Sequence, residues 1–224
     1  MQERKGKNRH LAKEHSHAKR QETGRRERRS ALIVCEGKCT EPFYLRGLLQ
    51  HLRISAANVE IIVGESQSNA VAVVNRARQR FKHTPRDHVF AMIDNEQEDL
   101  DQALKLCEKP LQRANKKNGL PLIRIEPILS TPCFEVWLLL HFRYCDKHFA
   151  RYADVLPELQ ASLPGYQKSE SKIFEKVGDG DGLGRALLNA VQLRIALAQT
   201  NSTSPATDMD KLVEALRALN ADSH

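Results

Sequence analysis

The sequence predicts an α/β fold: a largely parallel four-stranded sheet with helices on both faces, followed by a C-terminal helical extension. Three observations carry this. Short apolar runs alternate with amphipathic stretches, strand then helix, four times in succession between residues 31 and 142, the order expected when crossovers build a parallel sheet. The run Ala31-Leu32-Ile33-Val34-Cys35 is apolar at every position instead of every second one, as in a strand covered on both faces. Beyond residue 147, Pro157, Pro164, Gly165, Gly178 and Gly180 punctuate a segment whose remaining periodicity is helical.

The first strand stops at Glu36-Gly37, where glycine lets the chain turn. Thr40 is placed as an N-cap. Glu41 and Pro42 suit a first helical turn, the acid through the helix dipole and the proline because its missing N–H costs nothing there. Phe43, Tyr44, Leu45, Leu48, Leu49 and Leu52 continue that helix. Val59 to Val63, closed by Gly64, is the second strand. Residues 68–82 form the second helix, with Ser68 as its cap. His88 to Ile93 is the third strand and ends at Asp94-Asn95-Glu96. A helix over 98–117, broken near Pro110, comes next. Leu122 to Ile128 alternates apolar and charged residues and is set near a sheet edge. Thr131-Pro132 opens the helix Phe134–Phe142, apolar nearly all round and therefore buried, with Trp137 in the core. A short helical piece at Ile173–Val177, a helix from Leu183 to Ala198, a polar linker Thr200–Thr207 and a helix Asp208–Leu219 complete the chain. The organisation is thus a basic tail over 1–29, an α/β domain over 30–146 and a mainly helical extension over 147–224.

Composition narrows the functional classes. The chain has 224 residues, 41% hydrophobic and 28% charged, as in globular proteins. It holds no apolar run long enough for a bilayer and no secretory signal. Its five cysteines show no C-x-x-C spacing, so reduced thiols in a cytoplasmic protein are expected, not a disulfide framework or a zinc site. The net charge of +7 is a property of the tail: residues 1–30 carry 11 Lys or Arg against 4 Glu, and the rest carries 24 of each sign. With almost no large apolar residues, the tail cannot offset its own ordering entropy and is expected to be disordered. It reads either as an arm that neutralises phosphates or as a solubilising tail.

The acids at strand ends are the chemical signal. Glu36 leaves the first strand and Asp94 and Glu96 leave the third. Residues two apart in extended backbone project to one side, so Asp94 and Glu96 are expected at one spot, with Glu36 and Glu41 facing it if those strands are neighbours. Carboxylates crowded in this way call for hard divalent cations, Mg²⁺ or Mn²⁺. Glu98, Asp99 and Asp101 fit the solvated start of a helix, and Asn95 a turn. Glu135 is either an additional acid of the site or a helix-dipole acid. His141 is a structural histidine. Lys38, Lys168 and Lys172 are candidate phosphate contacts, with a solvent-facing role as the alternative for Lys38. Gly178-Asp179-Gly180-Asp181-Gly182 is a turn, since a calcium loop would need a later glutamate.

A strand ending in Glu-Gly, with a later strand ending in an Asp-x-acid pair, resembles the Toprim domain of topoisomerases, primases and OLD-type nucleases. The stretches Ile33-Val34-Cys35-Glu36-Gly37-Lys38-Cys39-Thr40-Glu41-Pro42-Phe43-Tyr44 and Ser130-Thr131-Pro132-Cys133-Phe134-Glu135-Val136-Trp137-Leu138-Leu139-Leu140-His141-Phe142, with the ending near Ser202–Leu216, resemble the RloB-like family more specifically. The resemblance covers nearly the whole chain. It implies a Toprim-like, metal-dependent nuclease of phage-defence loci, of the abortive-infection or restriction-associated kind, acting on DNA or RNA beside a partner ATPase. By it, Glu36 and Asp94 are catalytic, and Glu36, Glu41, Asp94 and Glu96 ligate the metal. Glu96 stands where the family usually has aspartate, and its extra methylene moves the carboxylate outward by about one C–C bond. The rival reading is a non-catalytic module that binds nucleic acid or the ATPase. A primase-like polymerase ranks lower, because no G-x-x-x-x-G-K-[ST] is present.

Overall fold

The computed structural model describes residues 29–64, 69–96, 98–112, 122–178 and 180–221. The chain runs β1 (Ala31–Val34), α1 (Thr40–His51), β2 (Val59–Ile62), α2 (Ala70–His83), β3 (His88–Asp94), α3 (Leu100–Cys107), β4 (Glu126–Thr131), α4 (Glu135–Leu140), α5 (Tyr152–Ser162), α6 (Ile173–Gly178), α7 (Gly182–Thr200), β5 (Ala206–Thr207) and α8 (Met209–Ala221).

The sheet order is β2-β1-β3-β4-β5. The first four strands are parallel and β5 is antiparallel to β4. Each β1 side chain is buried because the sheet is covered on both faces. Ala31, Ile33 and Cys35 join one cluster with Tyr44, Leu45 and Leu48 of α1, Phe174 of α6, Leu193 of α7 and Leu212 of α8. Leu32 and Val34 join the other, with Val73, Val74, Ala77 and Phe81 of α2 and Ala103 of α3. The period-2 geometry of a strand thus divides one apolar run between two cores. From β1 the chain crosses to β2 on one side and then returns to β3 on the other side of β1. The crevice where β1 and β3 end is therefore a topological switch point, the usual ligand position in an open α/β sheet.

Several expectations need correction. The sheet has five strands among the described residues, not four. The fifth, β5, lies within the stretch expected to be a linker: Thr207 and Ala206 pair with Ser130 and Thr131. Its polar, two-residue length gave no periodicity to detect. The fourth strand begins and ends later than the Leu122–Ile128 expectation, so its register carries Ser130 alongside Asp94. The helix expected over 98–117 is α3, which stops at Cys107, and residues 113–121 lie outside the described set. Within the extension expected to be mainly helical, α5 over Tyr152–Ser162 was not placed, because Pro157 interrupts its pattern; the helix tolerates that proline. Val155 and Phe149 pack there with Val136 and Leu139 of α4, and that burial outweighs the hydrogen bond the proline removes.

Helix starts also differ. Thr40 is the first residue of α1 and the cap position is Cys39, without a side-chain cap bond. Ser68 lies outside the described residues; the α2 cap is Asn69, whose Oδ1 accepts from the Ala72 N–H at 2.8 Å. Asp99, expected as a solvated helix-start acid, also accepts from the N–H groups of Ala70 and Val71 at 3.3 and 2.9 Å. It thereby holds the N-termini of two helices together. The basic tail up to residue 28 lies outside the described residues.

Candidate active site

β1 delivers Glu36 and β3 delivers Asp94 to the switch point because the two strands pair directly in parallel. Oε2 of Glu36 accepts the Asp94 backbone N–H at 3.1 Å. Gly64, just past β2, packs so closely on this turn that a Cβ there would lie 1.6 Å from the Glu36 carbonyl oxygen, and its N–H donates to Gly37 O at 3.1 Å. Only glycine fits that approach. Glu41, one residue into α1, folds back so that Oε2 accepts the Gly37 N–H at 2.9 Å. Asp94 Oδ1 accepts the Phe134 N–H at 2.9 Å, tying the end of β3 to the entry of α4. Asn95 serves as the expected turn residue: its N–H and side chain hold Ser130 O and Thr131 Oγ1 at 2.8 and 3.0 Å.

Glu135, at the start of α4, is 2% exposed and belongs to the same cluster. Its Oε1 accepts the Tyr166 hydroxyl at 2.9 Å and stands 3.7 Å from Lys168 Nζ. Tyr166 was not among the residues the sequence singled out. It follows Pro164-Gly165 in the loop after α5, where an aromatic side chain in a turn was the one available signal. The same loop is fixed by Thr40 Oγ1, which donates to Lys168 O at 3.0 Å.

Burial and mutual repulsion mark the cluster electrostatically. Burial, with the charges of Glu36 and Glu135, pushes Glu41 up to about 8 against the opposing pull of the Gly37 hydrogen bond. Burial and then the charges of Glu41, Glu135 and Glu36 hold Asp94 well above the usual carboxylate range, with Lys168 pulling the other way. The neighbouring thiols respond likewise: burial, then Glu41 for Cys35 and Glu135 for Cys133, raises both. These thiols stay protonated and are not ready ligands.

Glu96 does not join. The alternation that would bring it alongside Asp94 requires extended backbone through residue 96, but β3 ends at Asp94 and residues 95 and 96 form a turn that leaves Glu96 exposed. Lys38 is exposed on the loop after Glu36, and Lys168 lies at the mouth of the cluster with its ammonium 3.9 Å above the Tyr152 ring. Lys172 is exposed in the segment before α6, its N–H bonded to Glu170. His141 is fully buried. Its Nδ1 lies 2.9 Å from Trp137 O; a carbonyl only accepts, so Nδ1 carries the proton and Nε2 accepts from the Tyr44 hydroxyl at 3.0 Å. This is a structural histidine, as expected. Trp137 is fully buried in the core. Asp179 of the glycine-aspartate run lies outside the described residues.

As the side chains stand, no three His, Cys, Asp or Glu among the described residues are gathered around one ion-sized point. The donor chemistry nonetheless fits a hard divalent cation: Glu36, Glu41, Asp94 and Glu135 offer carboxylate oxygens, and two of these acids already sit far up in pKa through burial and like charge. A soft-metal site is disfavoured by the protonated thiols.

Fold and site together define an α/β protein with a partly buried cluster of acids at the switch point of a mostly parallel sheet. Within that class the chain belongs to the RloB-like family: the family model for RloB-like protein matches residues 31–216, from the first residue of β1 into α8. No curated protein and no solved structure matches the chain. Among the described residues no helix is long and apolar enough to cross a membrane.

Proposed function

We propose that the protein is a Toprim-like, Mg²⁺- or Mn²⁺-dependent nuclease subunit that hydrolyses nucleic-acid phosphodiesters in phage defence, working with a partner ATPase. The observation that carries the reading is the gathering of Glu36, Glu41, Asp94 and Glu135 at the ends of β1 and β3, with Glu41 raised in pKa by burial and the charges of Glu36 and Glu135, and Asp94 by burial and the charges of Glu41, Glu135 and Glu36. The sequence resemblance supports the defence setting and the ATPase. Glu36, Glu41, Asp94 and Glu135 would hold the ion, with Glu96 at the rim. Bound there, the ion would supply Lewis-acid chemistry toward a phosphodiester. The chain's own groups do the rest. The Gly37 and Asp94 N–H groups orient Glu41 and Glu36, the Tyr166 hydroxyl orients Glu135, and Lys168 and Lys38 meet the anionic backbone at the mouth. Glu36 is the acid or base of the reaction. Full-length protein with Mn²⁺ and plasmid DNA or RNA should cleave, and Glu36→Gln and Asp94→Asn should not. Cleavage surviving in both variants removes the proposed site.

A second reading is a non-catalytic module that binds nucleic acid or the ATPase. The exposed position of Glu96 favours it. Calorimetry separates the two: absence of Mn²⁺ binding, with nucleic-acid binding retained, supports the module.

A further inference from the structure

Glu135 is held by two side chains of one loop. Tyr166 donates to Oε1 over 2.9 Å and Lys168 Nζ stands 3.7 Å from the same oxygen. The Lys168 ammonium also lies 3.9 Å above the Tyr152 ring, and its backbone carbonyl is held by Thr40 Oγ1 at 3.0 Å. Thr40 neighbours Glu41, so one loop is pinned to α1 and α4 on either side of the acids. Lys168 is the cation whose charge bears on both Glu135 and Asp94. Its side chain remains 55% exposed, so the ammonium reaches solvent at the mouth while its stem lies along the protein.

We propose that Lys168 is a built-in counter-cation of the acid cluster and competes with the divalent ion for it. The inference rests on the metal-binding reading above. Two cations drawn to the same carboxylates repel each other, and the repulsion is strongest where burial has lowered the local dielectric. An ion held by Glu135 and Asp94 displaces the ammonium from Glu135 without displacing the backbone that carries it, since Thr40 holds the Lys168 carbonyl. The released ammonium stays at the mouth, where an incoming phosphate is the remaining anion. Lys168 is therefore a positioning residue that couples the two events: it weakens binding of the ion alone and strengthens binding of ion and polyanion together.

The test uses the full chain and Mn²⁺ alone, by calorimetry and by Mn²⁺-induced change in melting temperature. Lys168→Met keeps the stem over Tyr152 and removes the charge; Lys168→Arg keeps the charge. Mn²⁺ should bind Lys168→Met roughly tenfold more tightly than wild type, with Lys168→Arg close to wild type. Equal or weaker binding by Lys168→Met, while Glu36→Gln binds more weakly than wild type, overturns the competition and leaves the metal reading standing. Binding to none of the proteins overturns both.

Discussion

The Asp94 backbone N–H donates to Oε2 of Glu36 over 3.1 Å, joining two residues 58 positions apart at the ends of adjacent parallel strands. Glu36 thus has a structural duty beside the chemical one proposed for it, and substitution should separate the two. Glu36→Gln keeps an acceptor and should melt within about 1 kcal/mol of wild type; Glu36→Ala leaves a part-buried N–H unpaired and should cost about 1–3 kcal/mol. Both should lose Mn²⁺ binding. Denaturant unfolding beside Mn²⁺ calorimetry checks this, and equal destabilisation by the two changes would deny the bond its role.

Gly64 sets the position of the Glu36 turn from below. A Cβ there would lie 1.6 Å from the Glu36 carbonyl oxygen and meet only backbone, with no flexible side chain to give way. Gly64→Ala should therefore cost about 2–3 kcal/mol and weaken Mn²⁺ binding, although residue 64 carries no ligand. A variant with wild-type melting and wild-type Mn²⁺ affinity would show that the turn is not constrained there.

Glu41, pushed up to about 8 chiefly by burial, makes two pH effects with defined sign. The folded chain keeps a proton that the unfolded chain releases from the ordinary value of 4.5 upward, so this group's contribution to stability falls as pH rises from about 4.5 through about 8. A divalent ion needs the ionised carboxylate, so its affinity rises over the upper part of the same window and levels above about 8. Glu41→Gln should flatten the stability profile relative to wild type. Melting temperatures between pH 5 and 9, with and without Mn²⁺, read both effects; a Mn²⁺ shift as large at pH 6 as at pH 8 would contradict the second.

His141 works in the opposite direction. Burial lowers it from 6.5 to about 4 despite its bond to Trp137, so the unfolded chain binds the proton first as pH falls. Its contribution is complete above about 6.5 and is lost progressively toward 4. The shift is worth about 3 kcal/mol. Because Glu41 titrates over an overlapping range with the contrary sign, the difference between wild type and His141→Gln isolates the effect. That difference should change by about 3 kcal/mol between pH 7 and pH 4; a constant difference would mean that the histidine titrates alike in the folded and unfolded chain, and so is not held neutral by burial.

What the residues alone made legible is local. β1, α1, β2, α2 and β3 each announce themselves within a dozen positions, through apolar period, turn glycine or first-turn acid, and β1's unbroken apolar run already implied a sheet covered on both faces. Glu36 and Asp94 were readable as strand-end acids because strand ends are local too. Tertiary structure alone decided which acids meet. Glu135 enters the cluster and Glu96 leaves it because β3 stops at Asp94 while β4 runs on to Thr131, and neither endpoint is written in periodicity. Tyr166 and Lys168 reach Glu135 from about thirty positions away, across a helix whose proline hid it. A short-range pattern records which face of an element seeks the core; it carries no record of which distant carboxylate will be waiting there, because that is fixed by packing of whole elements and not by their neighbours in sequence.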